Sequence, residues 1–300
     1  MKKVKGDQPF QSNPNKEYIR TAFDQPIVED WFKKVGRPLK YLGLPAQQML
    51  DIVAWQTMLG RFTGIERMEN QQHLMFLSAN VRDLEHRLYA LYGSFDDILI
   101  RGRDLYQKSP DWPYDFINLD YFGGFLYSDL SRPKAFRKLI ANQAAYERSF
   151  LLIVTQHLRD GDSLKEKDKF LADLGDRLKG AILDKKLYSR IDKVIAWYRQ
   201  ASIPDAARQG LYMNFFFREL GEAEHFKVKC RPGIVYAGTG NASMIHFATD
   251  FIYHANIAHR ATSDQSLLEV INLGLLEARA GAFRHKAFQQ PKLTALKQTS

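Results

Sequence analysis

The chain has 300 residues, 45% of them hydrophobic, enough for one large domain or two modest ones with a real core, which excludes wholesale disorder. Its 43 Lys and Arg against 34 Asp and Glu give a net charge of +9, and its one cysteine, Cys230, excludes a disulfide framework and any multi-cysteine metal or iron–sulfur centre. The longest apolar runs, such as residues 150–154, fall far short of the ~18 residues of a membrane span, and the Met-Lys-Lys start lacks the apolar stretch of a signal peptide, so the reading is of a cytoplasmic, reduced, soluble protein with no membrane partner.

In chain order, residues 1–15 are polar and aperiodic and read as a mobile arm. Helical spacing runs from Lys16 to Lys34 through Ile19, Ala22, Phe23, Ile27 and Trp31, interrupted at Pro26. Residues 39–44 read as a first strand closed by Pro45, 47–59 as a helix, and 62–66 as a second strand. Residues 70–92 read as a long helix with Leu74, Leu77, Val81, Leu84, Leu88 and Leu91 on one face, stopped by Gly93. The short run 97–101 gives a third strand, 114–120 a fourth and 149–155 a fifth, the most apolar of all. Residues 133–148 are helical, with Pro133 suited to a first turn.

This alternation predicts an α/β fold, a mostly parallel sheet wound by right-handed crossovers and covered by helices on both faces. After Gly161 the pattern changes. Residues 164–220 are mostly helical, with Phe170, Leu174, Leu178 and Ile182 at helical spacing and a break at Pro204. That is too long for one crossover, so it reads as a helical insertion that walls the cleft. Strand-like runs follow at 226–230, 234–238 and 243–253, the last two predicting an antiparallel hairpin, and 267–280 reads as a final helix. The expected organisation is an N-terminal arm and helix over 1–37 and the first part of the core over 38–163. The insertion then covers 164–220, and 221–300 completes the core with the hairpin, a C-terminal helix and a tail.

Ligands of an open parallel sheet bind at the carboxyl ends of its strands. There the sequence places Gly43-Leu-Pro-Ala46, Glu66, Gly102-Arg-Asp104, Asn118-Leu-Asp120-Tyr121-Phe122-Gly-Gly124 and Thr155-Gln-His157-Leu-Arg159, in strand order. A carboxylate at such an end accepts two hydroxyl hydrogens at once. An acceptor beside a flat ring suits an exocyclic amine on a stacked base. His157 is suited to a general base or a phosphate contact. Each residue also has a plain structural role open to it: Glu66 beside a helix start, Asp104 capping a turn, Asn118 satisfying backbone groups. The histidines show no metal-ligand spacing, and the chain lacks a Walker lysine loop and a Gly-x-Ser-x-Gly elbow.

The order of elements resembles the class I S-adenosylmethionine-dependent methyltransferases, over about residues 38–255 without much of the insertion. The resemblance implies a Rossmann-like fold ending in an antiparallel hairpin, and S-adenosylmethionine as cofactor with Gly43 and Asn118 in its site. It implies Glu66 on the ribose hydroxyls and Asp104 at the adenine amino group. The segment from Ile117 to Gly124 is similar to the aspartate-aromatic-glycine loop of tRNA guanine-N2 methyltransferases, which implies Asp120 as acceptor for the target amine and Tyr121 or Phe122 as the stacking ring. The first loop departs from the family, with one glycine followed by proline where a glycine-rich turn is usual.

The function expected is therefore methyl transfer to a nucleic-acid base amino group, with RNA or DNA as the partner favoured by the charge. The alternative is a non-catalytic relative on the same fold, a binding or scaffold subunit of a bacterial assembly with a protein partner or a second copy of itself.

Overall fold

In a computed structural model of the chain, the described residues are 13–45, 49–67, 81, 83–121, 131–158, 192–193, 196, 205–238, 242–255, 269–279 and 281–285. The N-terminal helical stretch is three pieces: α1 (Pro14–Ile19), a π-helical turn (Arg20–Asp24) and α2 (Gln25–Val35). Pro26 gives the physical reason for the break. It has no N–H to offer the turn before it, and the backbone takes up an extra residue there, with the Gln25 amide donating to the Arg20 carbonyl. α2 stops at Gly36, whose φ of 70° lets its amide turn back onto Phe32.

Five parallel strands follow: β1 (Leu39–Gly43), β2 (Leu59–Glu66), β3 (Leu88–Tyr92), β4 (Phe116–Asp120) and β5 (Phe150–His157). They lie in the order β3-β2-β1-β4-β5. β6 (Phe226–Cys230) and β7 (Gly233–Ala237) both pair antiparallel with β8 (Ser243–Tyr253). β8 also runs antiparallel along the whole of β5, from Phe150 opposite Phe251 to His157 opposite Met244. β9 (Leu275–Arg279) lies parallel to β7, and β10 (Ala282–His285) ends the sheet antiparallel to β9. The 3-2-1-4-5 order is the doubly wound Rossmann order, whose switch point lies between β1 and β4. The β7–β8 hairpin agrees with the sequence reading.

Three expectations are corrected. Residues 97–101 are not a strand but belong to a helix, α5, as numbered after α3 (Leu50–Trp55) and α4 (Leu84–Arg87), that spans Phe95–Arg101. Phe95, Ile98 and Leu99 form its buried stripe, Asp96 and Asp97 sit in its first turn, and Gly102 caps it with φ 75°. The third strand is instead Leu88–Tyr92, which pairs in register with β2 from Phe62–Leu88 to Glu66–Tyr92, so the helix expected up to Tyr92 ends earlier. The final helix likewise gives way to β9, because Gly274 at φ 66° turns the chain into the sheet. Most of the expected insertion, and its cleft-wall placement, lies outside the described residues.

Helices cover both faces. On one face α5, α6 (Ser131–Ala144) and α7 (Asp205–Ala223) bury Leu99, Phe136, Leu139 and Phe217 against Ile117, Val154, Phe247 and Phe251. Residues 205–220 are thus a core helix packed on the sheet. On the other, α2 and α3 bury Val28, Trp31, Ile52 and Trp55 against Tyr41, Phe62, Phe116 and Ile153. Strand alternation sends Phe116, Asn118 and Asp120 to the α2–α3 face and Ile117, Leu119 and Tyr121 to the other.

Candidate functional site

The carboxyl ends of β4, β5 and β7, with the amino end of the antiparallel β8, open onto a polar well on the α2–α3 face. It is lined by Lys16, Arg20 and Asp24 from the N-terminal segment, by Asp51 and Trp55 of α3, by Asn118 and Asp120 of β4, and by Thr155, Tyr236 and His246. Lys16 pairs with Asp120. Arg20 Nε donates to Asp51 Oδ1 at 2.6 Å, and Asn118 Nδ2 donates to Asp51 Oδ2 at 2.9 Å. His246 joins Asp24 Oδ1 through Nε2 and Thr155 Oγ1 through Nδ1, each at 2.8 Å. The free space among these groups is about 10 Å³, the room of a single water.

Charge pairing governs the ionisation here. Burial alone would raise the Asp51 carboxyl, but Lys16, Arg20 and the hydrogen bonds from Arg20 and Asn118 hold it below the usual carboxylate range. Burial would lower the Lys16 ammonium, but Asp120 and Asp51 carry it above its ordinary value. Asp24 is raised because its burial outweighs the attraction of His246.

The sequence-predicted residues fall in different surroundings. Gly43 ends β1 under the phenol of Tyr41, which occupies the space a Cβ would need. Pro45 lies across β2, its Cγ 3.0 Å from where a Cβ on Gly64 would sit. Glu66 ends β2 half-buried; its Oε1 accepts from the Arg67 amide at 3.0 Å and its carbonyl from the Gly93 amide at 2.9 Å. Asp104 is buried and accepts three backbone N–H groups, from Tyr92 at 3.1 Å and from Tyr106 and Lys108 at 2.8 Å. Asn118 and Asp120 come together in the well.

Tyr121 does not join them. It is 5% exposed on the opposite face, with the Arg132 guanidinium 3.9 Å from its ring centroid and its hydroxyl 3.3 Å from Asp96. Its ring is thus packed between Arg132, Phe95 and Phe136 rather than presented to a base. Phe122 and Arg159 lie outside the described residues. His157 is half-buried at the end of β5, one step beyond Thr155 on its face, and does not line the well.

Sequence reasoning missed Lys16, Arg20, Asp24, Asp51 and His246. A signal existed for the first three: they recur every four residues, a charged stripe beside the apolar one. Among the described residues, no group of three or more His, Cys, Asp or Glu is set to hold a metal ion, and no helix is long and apolar enough to cross a membrane.

No protein-family model matches the chain and no curated protein matches its sequence. Solved structures share parts of its trace. An O-methyltransferase from Bacillus cereus, in complex with S-adenosylhomocysteine, aligns at TM-score 0.40 and 12% identity over 81% of this chain and 83% of that one. The O-methyltransferase TomG from Streptomyces achromogenes, in complex with S-adenosylmethionine, aligns at TM-score 0.38 and 12% identity over 82% and 92%. An amino pentose methyltransferase from Micromonospora echinaspora, also bound to S-adenosylmethionine, aligns at TM-score 0.32 and 10% identity over 48% of this chain, which spans about half, 51%, of that one. The fold assignment, a Rossmann-like α/β sheet completed by antiparallel strands, rests on the strand order and connectivity.

Proposed function

We propose that the protein is an S-adenosylmethionine-dependent methyltransferase acting on a nucleic-acid base amino group. The observation that carries this reading is a pair of acids on one edge of a 3-2-1-4-5 sheet: Glu66 at the end of β2 and Asp120 at the end of β4, on either side of β1. The residues fit the cofactor at its sugar end, where Glu66 is a half-buried carboxylate at the carboxyl end of β2. They do not fit the adenine contact expected of Asp104, whose carboxylate is already filled by three backbone N–H groups.

When bound, the cofactor supplies a methyl group on a positively charged sulfur. The chain's own residues do the rest. Glu66 accepts from the ribose hydroxyls. Asp120 accepts a hydrogen from the acceptor amine and orients its lone pair. The net charge of +9 favours a phosphate-bearing acceptor.

The second reading is the non-catalytic relative, and specific observations favour it. Lys16 pairs with Asp120, and the Tyr41 phenol fills the glycine space at the end of β1. Transfer of labelled methyl from S-adenosylmethionine to RNA and to DNA separates the two. The methyltransferase reading expects label in one nucleic acid, lost by about 10²–10⁴-fold in Asp120→Ala. No label from the wild-type chain in either would leave the non-catalytic reading.

A further inference from the structure

The N-terminal segment does more than pack. Lys16, Arg20 and Asp24, each four residues apart, reach three separate elements around the well: Asp120 on β4, Asp51 at the start of α3, and His246 on β8. Asn13 and Asn15 tie its far end to the Ala237 carbonyl at 3.0 and 3.2 Å, both exposed bonds. Its outer face, with Glu17, Thr21 and Ala22, is exposed. Between Asn13 and Asp24 the fully buried apolar side chain is Ile19, set against Ile234, Tyr236 and Met244. Tyr18 and Phe23 add ring contacts with Phe283, and Phe23 one with His246, but at Lys16 and Arg20 the segment is held to the site by charge pairs that a single substitution parts. It also carries the π-helical turn, a place where a helix departs from its regular ladder and bends.

We propose that residues 13–24 are a strap that covers Asp120 and opens by parting Lys16 from Asp120 and Arg20 from Asp51, with the π-helical turn as its hinge. An acceptor reaches Asp120 only with the strap lifted. The inference rests on the reading of Asp120 as the acceptor-facing acid. It explains why a group suited to hold an amine already holds one: Lys16 occupies the place of the acceptor amine while the strap is closed.

The test uses the full chain, without cofactor or nucleic acid. Amide hydrogen exchange reads the strap. Access to Asp120 is read by labelling carboxylates with a water-soluble carbodiimide and glycine ethyl ester, in which the amine forms an amide at the carboxyl carbon and the carbodiimide leaves as a urea carrying the lost oxygen. In the wild type, residues 14–24 are protected and Asp120 is unlabelled. Lys16→Met, which keeps the stem and removes the charge, raises exchange over 14–24 by about tenfold or more and exposes Asp120 to label, while β4 and β5 exchange as before. Lys16→Arg keeps the charge and behaves as the wild type. Equal labelling of Asp120 in wild type and Lys16→Met would overturn the strap, as would protection lost across β4 and β5 together with 14–24. The methyltransferase reading fails separately, through absence of cofactor binding in a titration, and that failure leaves these exchange and labelling results unchanged.

Discussion

Asp104 uses its whole carboxylate to build a turn. Its two oxygens take the amides of Tyr92, Tyr106 and Lys108, which fixes the chain after α5 against the end of β3. Removing it leaves buried N–H groups unpaired, so Asp104→Ala is expected to cost about 1–3 kcal/mol in urea denaturation. A fall in cofactor affinity without that loss of stability would restore the adenine role. Asp115 works similarly at the other end of the sheet. It is 4% exposed in its side chain and accepts both terminal nitrogens of Arg37 at 2.8 and 2.9 Å and the Lys40 amide at 2.9 Å. Because Arg37 is half-exposed and keeps water, Asp115→Ala is expected at the lower end for a broken buried pair, about 3 kcal/mol. A change below about 1 kcal/mol, the scale of a surface pair, would contradict this account.

Among the elements, the strap carries a pH signature with a definite sign. Lys16 has its pKa raised above 10.5, since the pull of Asp120 and Asp51 outweighs burial. Its contribution is complete below the unfolded value and is lost as pH rises through the folded one. Asp51 is lowered below 3.8, so its contribution stands above that value and is lost as pH falls through the folded one. Buried Asp24 is raised above 3.8, and its contribution is lost as pH rises through its folded value, opposing Asp51. Protection factors over 14–24, corrected for intrinsic exchange, are therefore expected to fall above pH 10.5 in the wild type. Lys16→Met should lack that step; an identical fall in both chains would place its cause elsewhere.

The elements that were legible were those whose period or punctuation was unambiguous. β5 is an unbroken apolar run and β7–β8 is a hairpin around glycine, so both could be read directly. The run at 97–101 could not, because three apolar residues in a row fit either a strand or one helical turn; the acids before it and Gly102 after it were the deciding helix signals. Leu88–Tyr92 continued a helical spacing by coincidence, and only its partner β2 makes it a strand. Of the residues that line the well, Asn118 and Asp120 were legible from the rule that strand ends carry ligands. The residues facing them were not, because they come from α1, the π-helical turn, α3, β7 and β8, far away in sequence.

For the whole molecule, the sheet presents Glu66 and Asp120 on one edge of a basic protein carrying a net charge of +9. If nucleic acid is the acceptor, log affinity should fall linearly with log salt, by about 0.9 per duplex phosphate contacted. Affinity that stays flat between low and physiological salt would argue against that acceptor. The most direct test of the central claim is a calorimetric titration with S-adenosylhomocysteine, run on the wild type and on Lys16→Met, since the strap covers Asp120 and not Glu66 and its opening should leave cofactor binding in place. The account predicts saturable binding of one ligand per chain, weakened in Glu66→Ala by about 10–100-fold, the loss of charged hydrogen bonds to the ribose. No binding at millimolar ligand in either chain would contradict it.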